Sequence, residues 1–259
     1  MTDAPEPDAP APPLRRLDTQ GYDPAWAWQS PIGESVANFF DAVDNPLGRA
    51  IAHRLAISGA RAIATRIADD WSNLASVEDG TIVSLVGRAR ATKTFSFRIA
   101  DRPVIGVMLR FPMRSPLNPD LYQRRKHLTG PLSEQQRALA FWRTERVDLE
   151  AVYDFELVGP ANQRAAVLVD GARFMAKPRF PLRHVPEATE LLDAIGPPAD
   201  ADLTDVHGAF LWDETPVELI GPKRARSVDQ GLSITIGDTD EPPTLIIPRG
   251  LPPPRTPGT

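Results

Sequence analysis

From Asp79 onward, apolar residues recur at alternate positions, whereas upstream of it they recur every three or four. A period of two places successive side chains on opposite faces of an extended chain, so this part must fold as strands with one buried face. The turn pair Asp79-Gly80 opens a strand from Thr81 to Arg90, in which Val83, Leu85 and Ala89 share a face. Phe95, Phe97 and Ile99 alternate with Thr94, Ser96 and Arg98, and Ala100 to Pro103 reads as a hairpin connection into Val104 to Phe111. Tyr153, Phe155 and Leu157 repeat the alternation. Ala165 to Val169 and Ala172 to Ala176 flank Asp170-Gly171, a two-residue hairpin signal because both turn positions tolerate positive φ. Val217 to Ile220, Leu232 to Ile236 and Thr244 to Ile247 end the series. The pattern predicts an α+β, mainly β chain: a small antiparallel β-barrel or sandwich of about eight strands preceded by an N-terminal helical segment.

Upstream, Val36, Phe39, Phe40 and Val43 follow the helical period, and Asn45-Pro46 supplies an N-cap and a proline at the first helical position. A helix is predicted from Pro46 to about Asp69, with Leu47, Ile51, Leu55, Ser58 and Ala62 on one face and the rest of the chain as its partner. Four arginines, at 49, 54, 61 and 66, make it too charged to cross a bilayer. Residues 14–78 form this aromatic and helical segment, where Tyr22, Trp26 and Trp28 are anchors onto the domain or a partner-docking motif. Residues 1–13 and 251–259 are Pro-rich and cannot bury enough apolar surface to offset ordering entropy, so both are expected to be disordered tails.

Residues 79–250 are the β-rich domain, interrupted by a helical insertion at 112–147. Within the insertion Ser133 and Gln136 match a capping box, with Ala138, Leu139, Phe141 and Trp142 as apolar anchors. It is also the basic part of an acidic chain. Arg110, Arg114, Arg124, Arg125, Lys126, Arg137, Arg143 and Arg146 face only Asp120, Glu134 and Glu145, against an overall formal charge of −5. The cluster Arg124, Arg125, Lys126 and His127, together with Trp26 and Trp28, comprises the candidate partner-binding residues. A solvated loop, or an ion-pair partner for the acidic residues of Pro186 to Asp205, is the competing reading of the cluster.

Catalytic chemistry has no signature here. The chain has no cysteine, which removes thiol nucleophiles, disulfides and Cys-built metal sites. His53, His127, His184 and His207 are widely separated and form no HxxxH or HxH pair. No nucleophile elbow, dinucleotide-binding fingerprint or phosphate-binding loop occurs, so no catalytic, cofactor or metal residues are assigned and no cofactor is expected. Paired acid and base carboxylates follow no spacing rule, so an enzyme with a motif-free carboxylate site stays open. So does a peripheral membrane or nucleic-acid binder working through a local basic patch. The acidic, Pro-rich Met1 to Pro13 has neither the basic nor the apolar region of a signal peptide, and no run reaches membrane-span length. A cytoplasmic chain without a transmembrane segment, with no nucleic acid as partner, is expected.

Several short phrases resemble the GIDE-type domain of membrane-anchored RING ubiquitin ligases and of bacterial relatives. Gly80 to Arg88 (GTIVSLVGR) is similar to the domain's opening strand, and Trp142 stands where such domains place a tryptophan before the next strand. Asp154 to Val158 (DFELV) and Ala166 to Ala172 (AVLVDGA) resemble its paired strands, Glu214 to Gly221 (ETPVELIG) its turn and strand, and Thr244 to Pro248 (TLIIP) its closing strand. The chain departs from the family in lacking transmembrane segments and, without cysteine, a RING finger. The resemblance therefore implies no ligase activity; it implies a non-catalytic interaction or scaffold module that binds a protein partner, with no catalytic residues.

Overall fold

A computed structural model describes residues 15–18, 46–67, 71–112, 146–199, 201–228, 231–237 and 243–250. It is mainly β, with a closed five-stranded barrel, as the alternation predicts. The barrel consists of β3 (Ile82–Ala91), β7 (Phe155–Val158), β8 (Arg164–Val167), β13 (Gly231–Ile236) and β12 (Pro216–Val228), hydrogen-bonded in that order, and β12 returns to pair with β3. All these pairings are antiparallel except β8 with β13. This is the connectivity of an OB-type Greek-key barrel. Facing pairs Leu85↔Leu219, Ala89↔Leu157, Phe155↔Val167 and Leu157↔Ala165 are buried in the main core.

The 13 residues of β12 allow it to serve two neighbours in succession along one edge. Its first half pairs with β14 (Leu245–Pro248) and its second half with β13. The change of partner falls at Gly221-Pro222, where Gly237 N donates to Pro222 O at 3.1 Å. A Cβ on Gly221 would lie 2.4 Å from Thr244 Oγ1, so only glycine allows β14's approach to the barrel wall there. Two short strands add to this sheet in parallel: β9 (Arg173–Phe174) on β14 and β2 (Thr65–Arg66) on β3.

A second sheet leaves the barrel between β3 and β7. Its order is β1 (Arg15–Asp18), β6 (Arg146–Val152), β5 (Arg102–Pro112), β11 (His207–Trp212) and β10 (Phe180–Pro181), with β4 (Arg98–Ile99) forming a tight hairpin with β5. The hairpin turn holds Ala100 and Asp101 at φ of 52° and 60°, and the Arg98 guanidinium donates to Asp101 O, closing it. Val104 to Leu109 are all buried, as are Gly208 to Trp212, so this sheet is covered on both faces. Such strands read as apolar runs rather than alternations, which explains why Val104 to Leu109 of β5 and Gly208 to Trp212 of β11 carry no period-two signal.

Four sequence expectations need correction. The helix α1 spans Pro46–Ile63 and stops short of Asp69. Its successors Thr65 and Arg66 pair with β3, and Ile67 N donates to Ser84 O at 3.1 Å, so the barrel edge takes the backbone groups that a longer helix would have used. The buried face of α1 also differs: Ala56 and Ala60 are fully buried with Met175, Ile220, Leu245 and Ile247, while Ser58 and Ala62 are exposed. Two alanines bring the helix backbone close to the outer surface of β12 and β14, which larger residues on the expected stripe would prevent. Asp170-Gly171 does form a turn, with Gly171 at φ 72° and Ala172 N donating to Val169 O, but not a hairpin. The flanking strands diverge, β8 to β7 and β13, and β9 to β14. Finally, of the Phe95 to Ile99 alternation only Arg98–Ile99 is strand; Phe95 and Phe97 stack on each other at 4.9 Å, and Phe95 packs 5.0 Å from Tyr153 as core. The acidic stretch after Pro186, unassigned by periodicity, contains α2 (Ala188–Ile195), which buries Leu191 and Ile195 and ends on Gly196 at φ 71°.

One charged node ties α1 to the barrel. Glu218 on β12 is 4% exposed, accepts from Arg61 Nε at 2.9 Å through Oε1 and from Arg249 at 3.2 Å through Oε2, and is also reached by Ser84 Oγ at 3.3 Å. Burial alone would push its carboxyl up, but the hydrogen bonds and charges of Arg61 and Arg249 outweigh it and hold the group below the usual carboxylate range. A lowered folded value means the stabilisation is complete above the unfolded range near pH ~4.3 and is lost as pH falls through the folded value. Glu218→Gln is therefore expected to cost about 1–2 kcal/mol at pH 7, with the gap to wild type closing as pH drops toward ~3. Urea melts across pH check this; a gap that is constant with pH would show that the charge of Glu218 is not what holds α1.

Candidate functional site

Among the described residues, a row of ionisable side chains lies on one face of the second sheet, at the root of the 113–145 connection. Register places His207 opposite Arg110 and Arg110 opposite Asp148, across β11, β5 and β6. Two residues along, on the same face, stands Glu150. Arg110 forks onto Asp148, Nε to Oδ1 at 2.7 Å and Nη2 to Oδ2 at 2.6 Å, the planar bidentate geometry that gives such pairs their specificity. Glu150 accepts from Arg173 Nη1 of β9 and, through the same Oε2, from Phe174 N at 3.2 Å. The row runs inward: His207 is 31% exposed, Asp148 13%, Glu150 5% and Arg173 2%. It thereby joins the second sheet to the barrel sheet through a pair with almost no solvent.

The carboxylates of the row face arginines: each oxygen of Asp148 takes one arm of the Arg110 fork, and Glu150 Oε2 takes two donors. His207 Nδ1 lies 3.1 Å from Asp205 O and 3.8 Å from Asp205 Oδ1. A second buried cation besides Arg173 is also paired: Lys223 Nζ donates to Val77 O at 2.8 Å and Asp79 Oδ1 at 2.7 Å. The Lys223 hydrogen bond first, and the Ala225 N–H second, hold the Asp79 carboxyl below its ordinary range. Burial pushes the Tyr153 phenol up.

The predicted partner-binding residues Arg124, Arg125, Lys126, His127, Trp26 and Trp28 lie outside the described residues, as does the helix predicted around Phe141. What is described is the root of their insertion. Pro112 pairs with Arg146, and Pro112 O accepts from Asp202 N at 2.7 Å, so the two ends sit side by side. Arg110, grouped by sequence with the basic cluster, instead belongs to the clamp between β5 and β6. Asp148 and Glu150 carry no sequence signal beyond their shared parity on one strand. Of the histidines, His53 is on α1, His184 contacts Arg183 and His207 is on β11. Among the described residues no group of three or more His, Asp or Glu is arranged to hold a metal ion, and no helix is long and apolar enough to cross a membrane. No family model, curated protein or solved structure matches the chain.

The pair of Glu150 and Arg173 makes a sharp prediction. Glu150→Gln leaves a guanidinium charge buried without its counter-charge and is expected to cost about 3–5 kcal/mol in urea unfolding. Glu150→Leu combined with Arg173→Met, which removes both charges, should recover most of that loss. A double variant no more stable than the single one would mean that the pair is held for its hydrogen bonds rather than its charge balance.

Proposed function

We propose that the chain is a non-catalytic, cytoplasmic interaction module of GIDE-like type that binds an acidic protein partner through the 113–145 connection. The observation that carries this reading is the clamp at the connection's root. The Arg110–Asp148 fork, the Pro112↔Arg146 pairing and the Asp202 bond all act on the two ends of one segment. A strand-to-strand connection of such length is usually functional or unstructured, and a rigid root lowers the entropy cost of presenting it. Its excess of Lys and Arg within a chain of formal charge −5 is the polarity an acidic partner would meet, with charge governing encounter rate more than affinity. The carboxylates Asp148 and Glu150 near its root are engaged by arginines, which favours a mechanical role over the alternative of a carboxylate active site. OB-type barrels serve many unrelated functions, so the reading is drawn from this site and not from the barrel.

Arg124→Glu with Arg125→Glu tests it. The double variant should keep the wild-type melting temperature but lose, in a salt-sensitive way, a partner that wild type captures from its native host. With that partner purified, the association rate should fall by about ten-fold or more at low salt. Equal capture at every salt concentration rejects the connection as the contact surface, and unfolding of the variant identifies the cluster as a structural ion-pair site.

A further inference from the structure

The outer edge of β6 is closed by β1, a four-residue strand. Their antiparallel ladder sets Arg15 across from Glu150, Arg16 from Leu149, Leu17 from Asp148 and Asp18 from Val147. The two strands are held very differently. β6 is paired with β5 along its whole length, Arg146 to Val152, buries Val147, Leu149 and Ala151, and is tied to the barrel sheet by Glu150. β1 stands at the end of the sheet order, with β6 as its one strand partner among the described residues. A strand that short, fixed along a single edge, opens at low free-energy cost and leaves behind a preformed template of backbone N–H and C=O groups. The next described element in the chain, α1, packs on β12 and β14 of the barrel sheet instead. Residues 19–45 join the two, and at about 3.3 Å per extended residue they can span ~90 Å, enough to reach the β6 of a neighbouring molecule.

We infer that this edge of β6 is a strand-binding site, filled by residues 15–18 of the same chain or of a second copy, and that two copies join by exchanging β1. The seat already displays the register and direction that the second copy would use, so the exchanged contact equals the internal one residue for residue. Charge selects this occupant over the obvious competitor, a second β6. Antiparallel pairing of β6 with itself about Leu149 would set Asp148 of each copy across from Glu150 of the other, and like charges directly opposite destabilise a ladder. β1 instead brings Arg15 to the Glu150 position and Leu17 to the Asp148 position. Concentration governs the exchange: an internal β1 meets its own seat at an effective concentration on the order of 1 mM, so the exchanged dimer gains ground as the protein approaches that level. The basic residues of the 113–145 connection take no part in it.

Full-length chains test this, since a cysteine-free protein lets introduced thiols report alone. Opposed residues of an antiparallel pair bring their Cα atoms about 4.5–5.5 Å apart, within disulfide range. Asp18→Cys with Val147→Cys in one chain, oxidised when dilute, should give an internally bridged monomer of unchanged fold. Placed in separate chains that are mixed at about 1 mM before oxidation, the same two substitutions should give disulfide-linked heterodimer about ten-fold above a control mixture of Asp18→Cys with Lys93→Cys, an exposed position. Sedimentation of the wild type supplies a measurement free of substitutions: it should shift from monomer toward dimer between about 10 μM and about 1 mM, while the internally bridged variant stays monomeric. Absence of the internal bridge in a variant with the wild-type circular dichroism spectrum overturns the β1 seat itself. A heterodimer yield no higher than the control, a wild type monomeric throughout, or equal dimerisation of bridged and wild-type chains overturns the exchange. Val147→Cys alone forming homodimer at least as readily as the mixture overturns the choice of occupant in favour of a second β6.

Discussion

Closure of the barrel depends on one strand. β12 pairs with β3 through its first half along one edge, and along the other it is shared between β14 and β13. Its side chains divide accordingly: Val217 and Leu219 enter the main core, while Glu218 and Ile220 face the junction with α1. Every other assembly is attached to this frame. The second sheet enters through the tight turn after β11, where Glu214 at φ 62° donates its N–H to Ala89 O at 2.7 Å and Asp213 Oδ1 accepts from Ala91 N at 2.8 Å. With both edges of β12 engaged, the barrel leaves no long unpaired edge there as a template for aggregation.

Charge in this molecule follows two regimes. Inside, each buried charge meets an opposite one at short range, as at Glu150 with Arg173, while the buried Lys223 reaches out to the exposed Asp79. These matches fix which elements touch, because a shifted partner would strand a charge in low dielectric. Outside, ion pairs such as Arg88 with Glu214 at 3.8 Å and Arg164 with Glu156 at 3.3 Å are longer and face solvent, so they constrain the fold far less.

The sequence made the barrel legible where one face of a strand is buried and the other is not. β3 and β7 alternate as Val83, Leu85, Ala89 and Phe155, Leu157 because their outer faces stay polar or half-exposed. β11 does not alternate, since Gly208 through Trp212 are buried on both sides. Local chemistry also located the Asp170-Gly171 turn correctly but not the destinations of its strands, because partner choice is settled by long-range packing. The end of α1 was misread for a related reason: helix propensity continues past Ile63, but the open edge of β3 competes for the same backbone groups. The charged row was invisible, as nothing in the order of residues indicates that Asp148 will face Arg110 or that Glu150 will face Arg173.

The pairing of β3 with β12 has a temporal side. Ser84 and Glu218 touch across a sequence separation of 134 residues, and α1 reaches the same carboxylate across 157. A ribosome adding about 5–20 residues per second leaves β3 without its barrel-closing neighbour for on the order of ten seconds after it emerges. For that interval an apolar strand with a bare edge is present in the nascent chain, and the core of the barrel exists only as a promise of residues still to be made. Synthesis speed over the middle third of the message, and any holdase that covers Ile82 to Ala91 meanwhile, would then govern the yield of folded protein as strongly as the final stability does.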